Sequence, residues 1–415
     1  MKFSVITPTH DPKYLKRLAN SLQAQTFQDF EWVVIANGNC PQVENYIPGK
    51  QLTIRYIAPN TNIGALKKYG FSTGAGEYLV EVDHDDELTP DCLEKLAARF
   101  EITGADFVYS NCAHVRDGKD AGEVFDKSYG WEYRPFTYYG KQLTEAISFA
   151  PSPMSFSKIW FAPNHVRAWK STFYKDVLNG HDASLDVCDD HDILCRTYIN
   201  GTVSHINECL YIYHLHEENT CYSSEKNGRI QELTLELHDK YIYELTQAWC
   251  FMNGLAMIDI CGGINKPKWY TSIDKQNGDI TFDLDQPNWP IKDGSVGVFR
   301  AHDALEHMKD PINTMKEIYR CLAPNGWLLS MTPSTDGRGA FQDPTHVSFW
   351  NSNSFFYYTK AEQAKYIGTP VRFQANRIKN YFTNEWAQLH NIVYVKADLV
   401  KLSDTDIRVP GLKEI

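Results

Sequence analysis

The sequence is defined first by what it lacks. Its ten cysteines include no Cys-x-x-Cys pair and no zinc-ligand spacing, so a thiol redox motif and a zinc-finger module are both excluded. Cys92, Cys195 and Cys250 lie inside apolar periodic segments, and the set reads as reduced core thiols. No apolar run is long enough to span a bilayer, and residues 1–7 enter a strand without a signal-peptide core, so a cytoplasmic protein is expected. Positive charge is in short supply: 41 Lys and Arg against 52 Asp and Glu give a formal charge of -11, which argues against broad binding to nucleic acid or anionic membrane. Phosphates, if bound, then need a metal or a focused basic patch. Hydrophobic residues at 43% and charged residues at 22% exclude disorder. A chain of 415 residues exceeds what a single core usually supports, so two domains are expected, 1–250 and 251–415.

What is present is a dense run of acids. Tyr78-Leu79-Val80-Glu81-Val82 reads as an apolar strand that runs into Asp83-His84-Asp85-Asp86-Glu87. Carboxylates crowded this closely repel one another unless a cation neutralises them. A hard divalent ion, Mn²⁺ or Mg²⁺, suits such oxygen ligands and leaves positions open for the phosphates of a nucleotide. Open α/β sheets bind ligands just beyond the carboxyl ends of their strands, and this cluster sits at one such end.

Strands and helical stretches alternate through the first half, predicting an α/β fold with a mainly parallel sheet. Strands are expected at 3–7, 31–36, 52–57, 78–82 and 106–110. Helices are expected at 12–24 and 65–72, and a long amphipathic helix at 229–247. A fresh strand, 255–260, follows the loop at Asn253-Gly254.

With these motifs placed, residues 1 to about 225 resemble the family 2 glycosyltransferases, nucleotide-sugar enzymes of the A-type fold. Ser4-Val5-Ile6-Thr7-Pro8-Thr9 resembles their opening strand and nucleoside loop, and Asn62-Ile63-Gly64 with Lys67 and Lys68 the segment before the donor site. Asp83-His84-Asp85 resembles their DxD motif. Cys188-Asp189-Asp190-His191-Asp192 resembles their acidic catalytic segment, and Leu210 to His216 the strand after it. The resemblance implies metal-dependent transfer of a sugar from a nucleotide-sugar donor, a uridine diphosphate sugar above others, to an acceptor hydroxyl with inversion. It implies donor contacts from Pro8, Thr9, His10, Asn37, Asn62, Gly64, Lys67, Asp83 and Asp85, and metal ligands from Asp85, Asp83 and His216 or His214. Asp190 matches the general base, with Asp189 and Asp192 as neighbouring alternatives; one of the three is expected to cap the following helix. Asn37 stands where the family usually carries an aspartate that reads the nucleobase edge, and its amide both donates and accepts. The aromatic-rich stretch 129–169 fits acceptor stacking, with core packing as the default. Acceptors compatible with these features are a glycan, a protein or a modified nucleobase.

The second half begins another parallel pattern. Asp259-Ile260-Cys261-Gly262-Gly263 ends a strand in glycines, and Tyr270 to Asp274 ends the next in an acid. With 296–302, Asp303-Ala304-Leu305-Glu306-His307 and Leu322 to Leu328, these resemble a Rossmann-like S-adenosylmethionine-dependent methyltransferase. The resemblance implies cofactor contacts from Asp259, Gly262, Gly263 and Asp274. No residue is compelled as a methyl-transfer base; His302, His307 and His346 are candidates that serve a structural role equally well. An inactive domain that recognises acceptor or holds a dimer is the alternative.

Overall fold

The computed structural model describes residues 1–38, 40, 43, 52–57, 62–217, 219, 224–401 and 410. It divides into two compact units, Met1–Leu245 and Thr246–Ile415.

In the first unit, β1 (Phe3–Thr9), β2 (Phe30–Asn37), β3 (Leu52–Ile57) and β4 (Tyr78–Glu81) run parallel in the order β3-β2-β1-β4. Every residue of β1 is buried, as a strand covered on both faces requires, the hydroxyls of Ser4, Thr7 and Thr9 included. Helix α1 (Leu15–Gln23) connects β1 to β2 and buries Leu15, Leu18 and Leu22, spaced three and four residues apart. Helix α2 (Ile63–Thr73) precedes β4.

The parallel pattern breaks beside β4. After β5 (Glu87–Leu88), α3 (Cys92–Thr103) and β6 (Phe107–Arg116), three strands extend the sheet off its main path: β7 (Lys119–Asp120), β8 (Glu132–Tyr138) and β9 (Lys141–Ile147). A short helix, α4 (Pro153–Phe156), leads to β10 (Arg167–Lys170), which inserts antiparallel between β4 and β6. Because β10 runs backwards, its first residue, Arg167, pairs with Glu81 at the carboxyl edge where β4 ends. Helix α5 (Asp189–Asn200), β11 (Val203–Leu215), parallel to β6, and α6 (Ser224–Asn253) follow. The aromatic stretch is mostly core: Trp131, Phe161 and Trp169 are buried, whereas Tyr139 is exposed.

The second unit orders its strands β14-β13-β12-β15-β16-β18-β17, with ranges β12 (Ala256–Ile260), β13 (Thr271–Asp274), β14 (Ile280–Thr281), β15 (Val296–His302), β16 (Leu322–Pro333), β17 (Phe373–Phe382) and β18 (Val393–Lys401). The first five in that order pair parallel, and β18 and β17 close the sheet antiparallel. Helix α7 (Pro311–Cys321) supplies the crossover from β15 to β16, and Ile258, Phe299, Leu328 and Val395 meet in the core. No helix among the described residues is long and apolar enough to cross a membrane.

One glycine fixes how two parts of the first unit meet. A Cβ on Gly64 would lie 2.1 Å from the Asp182 carbonyl oxygen and 2.8 Å from that of Leu185, and the Gly64 N–H donates to Leu185 O at 3.1 Å. The start of α2 thus touches the loop that leads into α5 backbone to backbone, and any side chain would part them. Gly64→Ala should cost about 1–3 kcal/mol through overpacking. Gly228→Ala, at an exposed site of α6 with open space around it, should stabilise by about 0.5–1 kcal/mol. Thermal melts of both variants check this, and a harmless Gly64→Ala would refute the close-contact reading.

Candidate functional site

The acids after β4 divide into two groups. Asp86 is buried, accepting from Tyr211 Oη at 2.7 Å and from the His214 N–H at 2.8 Å; burial, with the Asp85 and Asp83 charges, holds its carboxyl well above the usual range. Glu87 accepts from His214 Nε2 at 2.7 Å. His214 therefore serves Glu87, and of the two histidines proposed as metal ligands only His216 reaches the outer acids: its Nε2 lies 2.7 Å from Asp85 Oδ2 across 131 residues of sequence. The same oxygen lies 3.3 Å from Asn219 Nδ2. Asp83 is one-third exposed, and its backbone N–H donates to Tyr211 Oη. Tyr14 stacks on His84 and on His216, with ring centroids 5.7 and 5.0 Å apart, and walls the site on one side. His10 packs edge-on to His84 at 5.0 Å.

Beneath these lies a buried ion network that single motifs did not reveal. Lys67 Nζ is 2.6 Å from Glu81 Oε1 and 3.1 Å from Asp189 Oδ2. Arg167 bridges Glu81 at 3.6 Å and Asp190 at 3.0 Å, while its Nε donates to Pro163 O. His165 sits 3.6 Å from Glu81 and 3.9 Å from Asp83, linking this layer to the outer acids. Burial pulls the Lys67 ammonium down, but Asp189 and Glu81 outweigh it and hold it well above its ordinary value. Burial likewise opposes the charge on Glu81, yet Lys67 and His165 keep its carboxyl well below the usual range. Burial pushes Asp189 up to about 6 against the pull of Lys67, whereas Arg167 and Lys67 overcome burial at Asp190 and bring it to about 2. The Asp190 side chain is 25% exposed and that of Asp189 only 6%, so Asp190 is the more open of the two carboxylates.

None of the acids is the N-cap of α5, which is Cys188, in left-handed backbone at φ 56°; Asp189, Asp190 and Asp192 fall in the first turn, where they complement the helix dipole, and Asp190 Oδ1 accepts from the His191 N–H at 2.8 Å. Asp192 is bound by Arg196, Tyr241 and Lys240 and is structural. Asn62 has a scaffold duty: it caps α2 by accepting from the Ala65 N–H, and its Nδ2 donates to Ala183 O. Lys67 faces inward to its two carboxylates, and Thr9 is buried with its hydroxyl on Asp11 O. Pro8 is buried in β1, and Asn37 ends β2 on the same carboxyl edge. Nine described cysteines are free; burial pushes Cys188 and Cys261 up to about 12, which removes them as nucleophiles.

In the second unit Asp259 is fully buried, with Oδ1 2.8 Å from Arg300, and a Cβ on Gly262 would lie 2.1 Å from its Oδ2. It buttresses the glycine turn from behind. Gly263, at φ +49°, faces Asp274 Oδ2, and Asp274 Oδ1 accepts from the Gln276 N–H. Burial and the neighbouring Arg300 push His302 down to about 3, so it stays neutral, with Nδ1 2.8 Å from that guanidinium.

The network makes a pH-dependent prediction. Lys67→Met strands two buried carboxylates and should cost about 3–5 kcal/mol near pH 7.5. Asp189 has its folded pKa raised to about 6 even with Lys67 pulling it down, so its charged form is the unfavourable one, and without Lys67 its protonation sets in at higher pH and relieves it on acidification. The variant's deficit should therefore shrink between pH 8 and pH 5 in urea denaturation. A deficit that is constant or grows on acidification would overturn the assignment.

Comparison with known proteins accords with both halves. Residues 4–158 match the family model described as glycosyl transferase family 2, and residues 241–387 match one described as a methyltransferase domain. A chondroitin synthase of Pasteurella multocida (strain Pm70) is 25% identical over 224 residues, 52% of this chain and 21% of that protein, so the chain spans about a fifth of that relative's length. An uncharacterized glycosyltransferase of Nostoc sp. is 24% identical over 255 residues, 58% of this chain and 74% of that one. The crystal structure of Staphylococcus aureus TarS residues 1–349 superposes with a TM-score of 0.43 and 20% identity, covering 60% of this chain and 72% of that one. The chain thus carries a family 2 glycosyltransferase domain followed by a methyltransferase domain.

Proposed function

We propose that the first unit transfers a sugar from a nucleotide-sugar donor, a uridine diphosphate sugar, to an acceptor hydroxyl with inversion, and that the second unit methylates the glycosylated product. The observation that carries the first part is the linkage of two distant acidic segments at one sheet edge, with Arg167 bridging Glu81 and Asp190 beside Asp83, Asp85 and His216. Two carboxylates and an imidazole form an oxygen and nitrogen donor set that fits Mn²⁺ or Mg²⁺. The bound ion would be held by Asp83, Asp85 and His216 and would supply positive charge opposite the departing diphosphate.

The chain's own residues do the rest. Arg167 fixes the orientation of Asp190 and keeps it ionised, so Asp190 presents a carboxylate oxygen to take the proton from the acceptor hydroxyl. Approach from the face opposite the leaving group gives inversion. Tyr14 and His84 shield the donor side. A glycan acceptor is supported by relatives named chondroitin synthase and hyaluronan synthase. In the second unit, S-adenosylmethionine would supply an electrophilic methyl group. The positive φ of Gly263 and the partly exposed Asp274 beyond it fit a ribose, with Gly262 and Asp259 supporting the turn.

Asp190→Asn should leave Mn²⁺-dependent donor binding intact and lower turnover by about 10²–10⁴-fold. Asp85→Asn should do the reverse at the first step, losing the metal-dependent rise in melting temperature that a screen of nucleotide sugars detects. Retained turnover in Asp190→Asn would move the base to Asp189, and unchanged Mn²⁺-dependent activity in Asp85→Asn would remove the metal reading. For the second unit, calorimetry with S-adenosylmethionine should give binding to the wild type and none to Asp274→Ala. Equal affinity in both clears Asp274 from the site, and no heat in either leaves an inert module.

A further inference from the structure

The geometry points to a second metal centre, in the methyltransferase unit, where Glu306, His307 and His346 hold a divalent transition ion that in turn takes an oxygen of the substrate. One ligand-competent atom from each of the three lies within 4.8 Å of the others. Glu306 and His307 belong to a one-turn helix, Leu305–His307, just past the carboxyl end of β15, and His346 comes from the loop before Trp350. None of the three is needed for the cofactor contacts proposed above.

Three independent features make this a built site. Glu306 is 2% exposed, Thr332 Oγ1 holds its Oε2 at 2.6 Å, and its Oε1 is buried with no hydrogen-bond partner among the described residues. An unpartnered carboxylate oxygen in the interior is costly unless a cation or donor meets it. Burial accordingly raises the Glu306 carboxyl, with Thr332 opposing. The second feature is the pair of imidazoles. His307 Nδ1 lies 3.2 Å from Thr345 O, and His346 Nδ1 lies 3.0 Å from Ala340 O. A carbonyl only accepts, so each Nδ1 is the donor and Nε2 is the ring atom left to take a metal, the arrangement that outer hydrogen bonds impose on metal-binding histidine. Third, the loop bearing His346 is pinned to the turn bearing the other two ligands: Val347 N and Ser348 N donate to Glu306 O at 2.9 and 3.0 Å, and Ser348 Oγ donates to Leu305 O at 2.8 Å.

Two imidazoles and one carboxylate favour Mn²⁺, Fe²⁺, Co²⁺ or Zn²⁺ over Mg²⁺ or Ca²⁺, which prefer all-oxygen shells. Three protein ligands leave coordination positions open, and they face the edge where ligands of parallel sheets bind. Phe341, in the short helix Gly339–Gln342, and Phe349, on the loop that carries His346, are both exposed, stack at 5.3 Å and give the ligand an apolar rim. The open positions suit a hydroxyl or phosphate oxygen of the molecule to be methylated.

The test is Co²⁺ titration of the full chain, read by visible d–d absorption and calorimetry, in an Asp85→Asn background that removes the other proposed ion. One equivalent should bind there, and adding His307→Gln with His346→Gln should abolish both the band and the heat while the metal-free circular dichroism and melting curve stay unchanged. Thr332→Val, which frees the Glu306 carboxylate without touching a ligand, should weaken Co²⁺ by about 10–100-fold. Should Glu306→Gln fail to fold, the histidine pair and Thr332→Val still decide. Absence of Co²⁺ binding in the Asp85→Asn protein overturns the proposal, as does equal binding with and without the two histidines. Because Asp85 is absent throughout, failure here is separate from failure of the metal reading in the first unit.

Discussion

The first unit depends on one arrangement of buried charge: Lys67 and Arg167 set among Glu81, Asp189 and Asp190. Two cations and three carboxylates, all but Asp190 buried, are unfavourable individually and acceptable together, because each charge meets a partner at hydrogen-bond or near-contact distance. The layer also ties four chain segments at one edge: α2, the end of β4, the start of β10 and the first turn of α5. Asp83 stays one-third exposed and Asp85 is tied to His216 and Asn219, while the acids beneath them are compensated from within. The side chains that compensate one another in the interior therefore also fix the geometry of this edge.

The second unit uses the same device more sparingly. Asp259 and Arg300 form a single buried pair behind the glycine turn, and Glu306 is held by one hydroxyl and two backbone contacts on its own carbonyl. In both units the polar group in direct support of a site is more buried than the residues that face a ligand. Orientation comes from below and reactivity from above.

Much of the architecture was legible in residue type: the strands at Phe3–Thr9 and Val296–His302, buried along most of their length, and the strand at Leu52–Ile57 follow from their β-branched and aromatic residues. Strand β10 was not legible. It has four residues, lies in an aromatic stretch, and its direction is set by tertiary pairing rather than local pattern. Glu81 escaped notice for a related reason, since a fully buried acid inside an apolar strand has no local motif; its partner Lys67 was noticed, but as a donor contact. The Asp83-Asp85 and Asp189-Asp190 motifs were visible as types, yet which acid faces solvent depends on Tyr211, His214 and Arg167, all distant in sequence. His214 and His216 are two residues apart and share a face in a strand reading, with His216 the first choice as ligand and His214 the second; the strand ends at Leu215, and past it the chain turns His216 to Asp85 while His214 stays with Glu87. The grouping of Glu306, His307 and His346 was equally hidden, because only two of its members are adjacent in sequence.

The buried network also constrains how this sequence can change. Removing Lys67 alone strands Glu81 and Asp189, and removing either acid alone leaves an ammonium in the interior short of a partner, so every single step passes through a less fit intermediate. Such positions are epistatic and must be exchanged as a group. Asp83, Asp85 and His216 carry no comparable obligation to the core, and neither do the exposed residues around them. Mutational drift should accordingly act first on the outer residues, while Asp190 stays held by Arg167 in the layer beneath them.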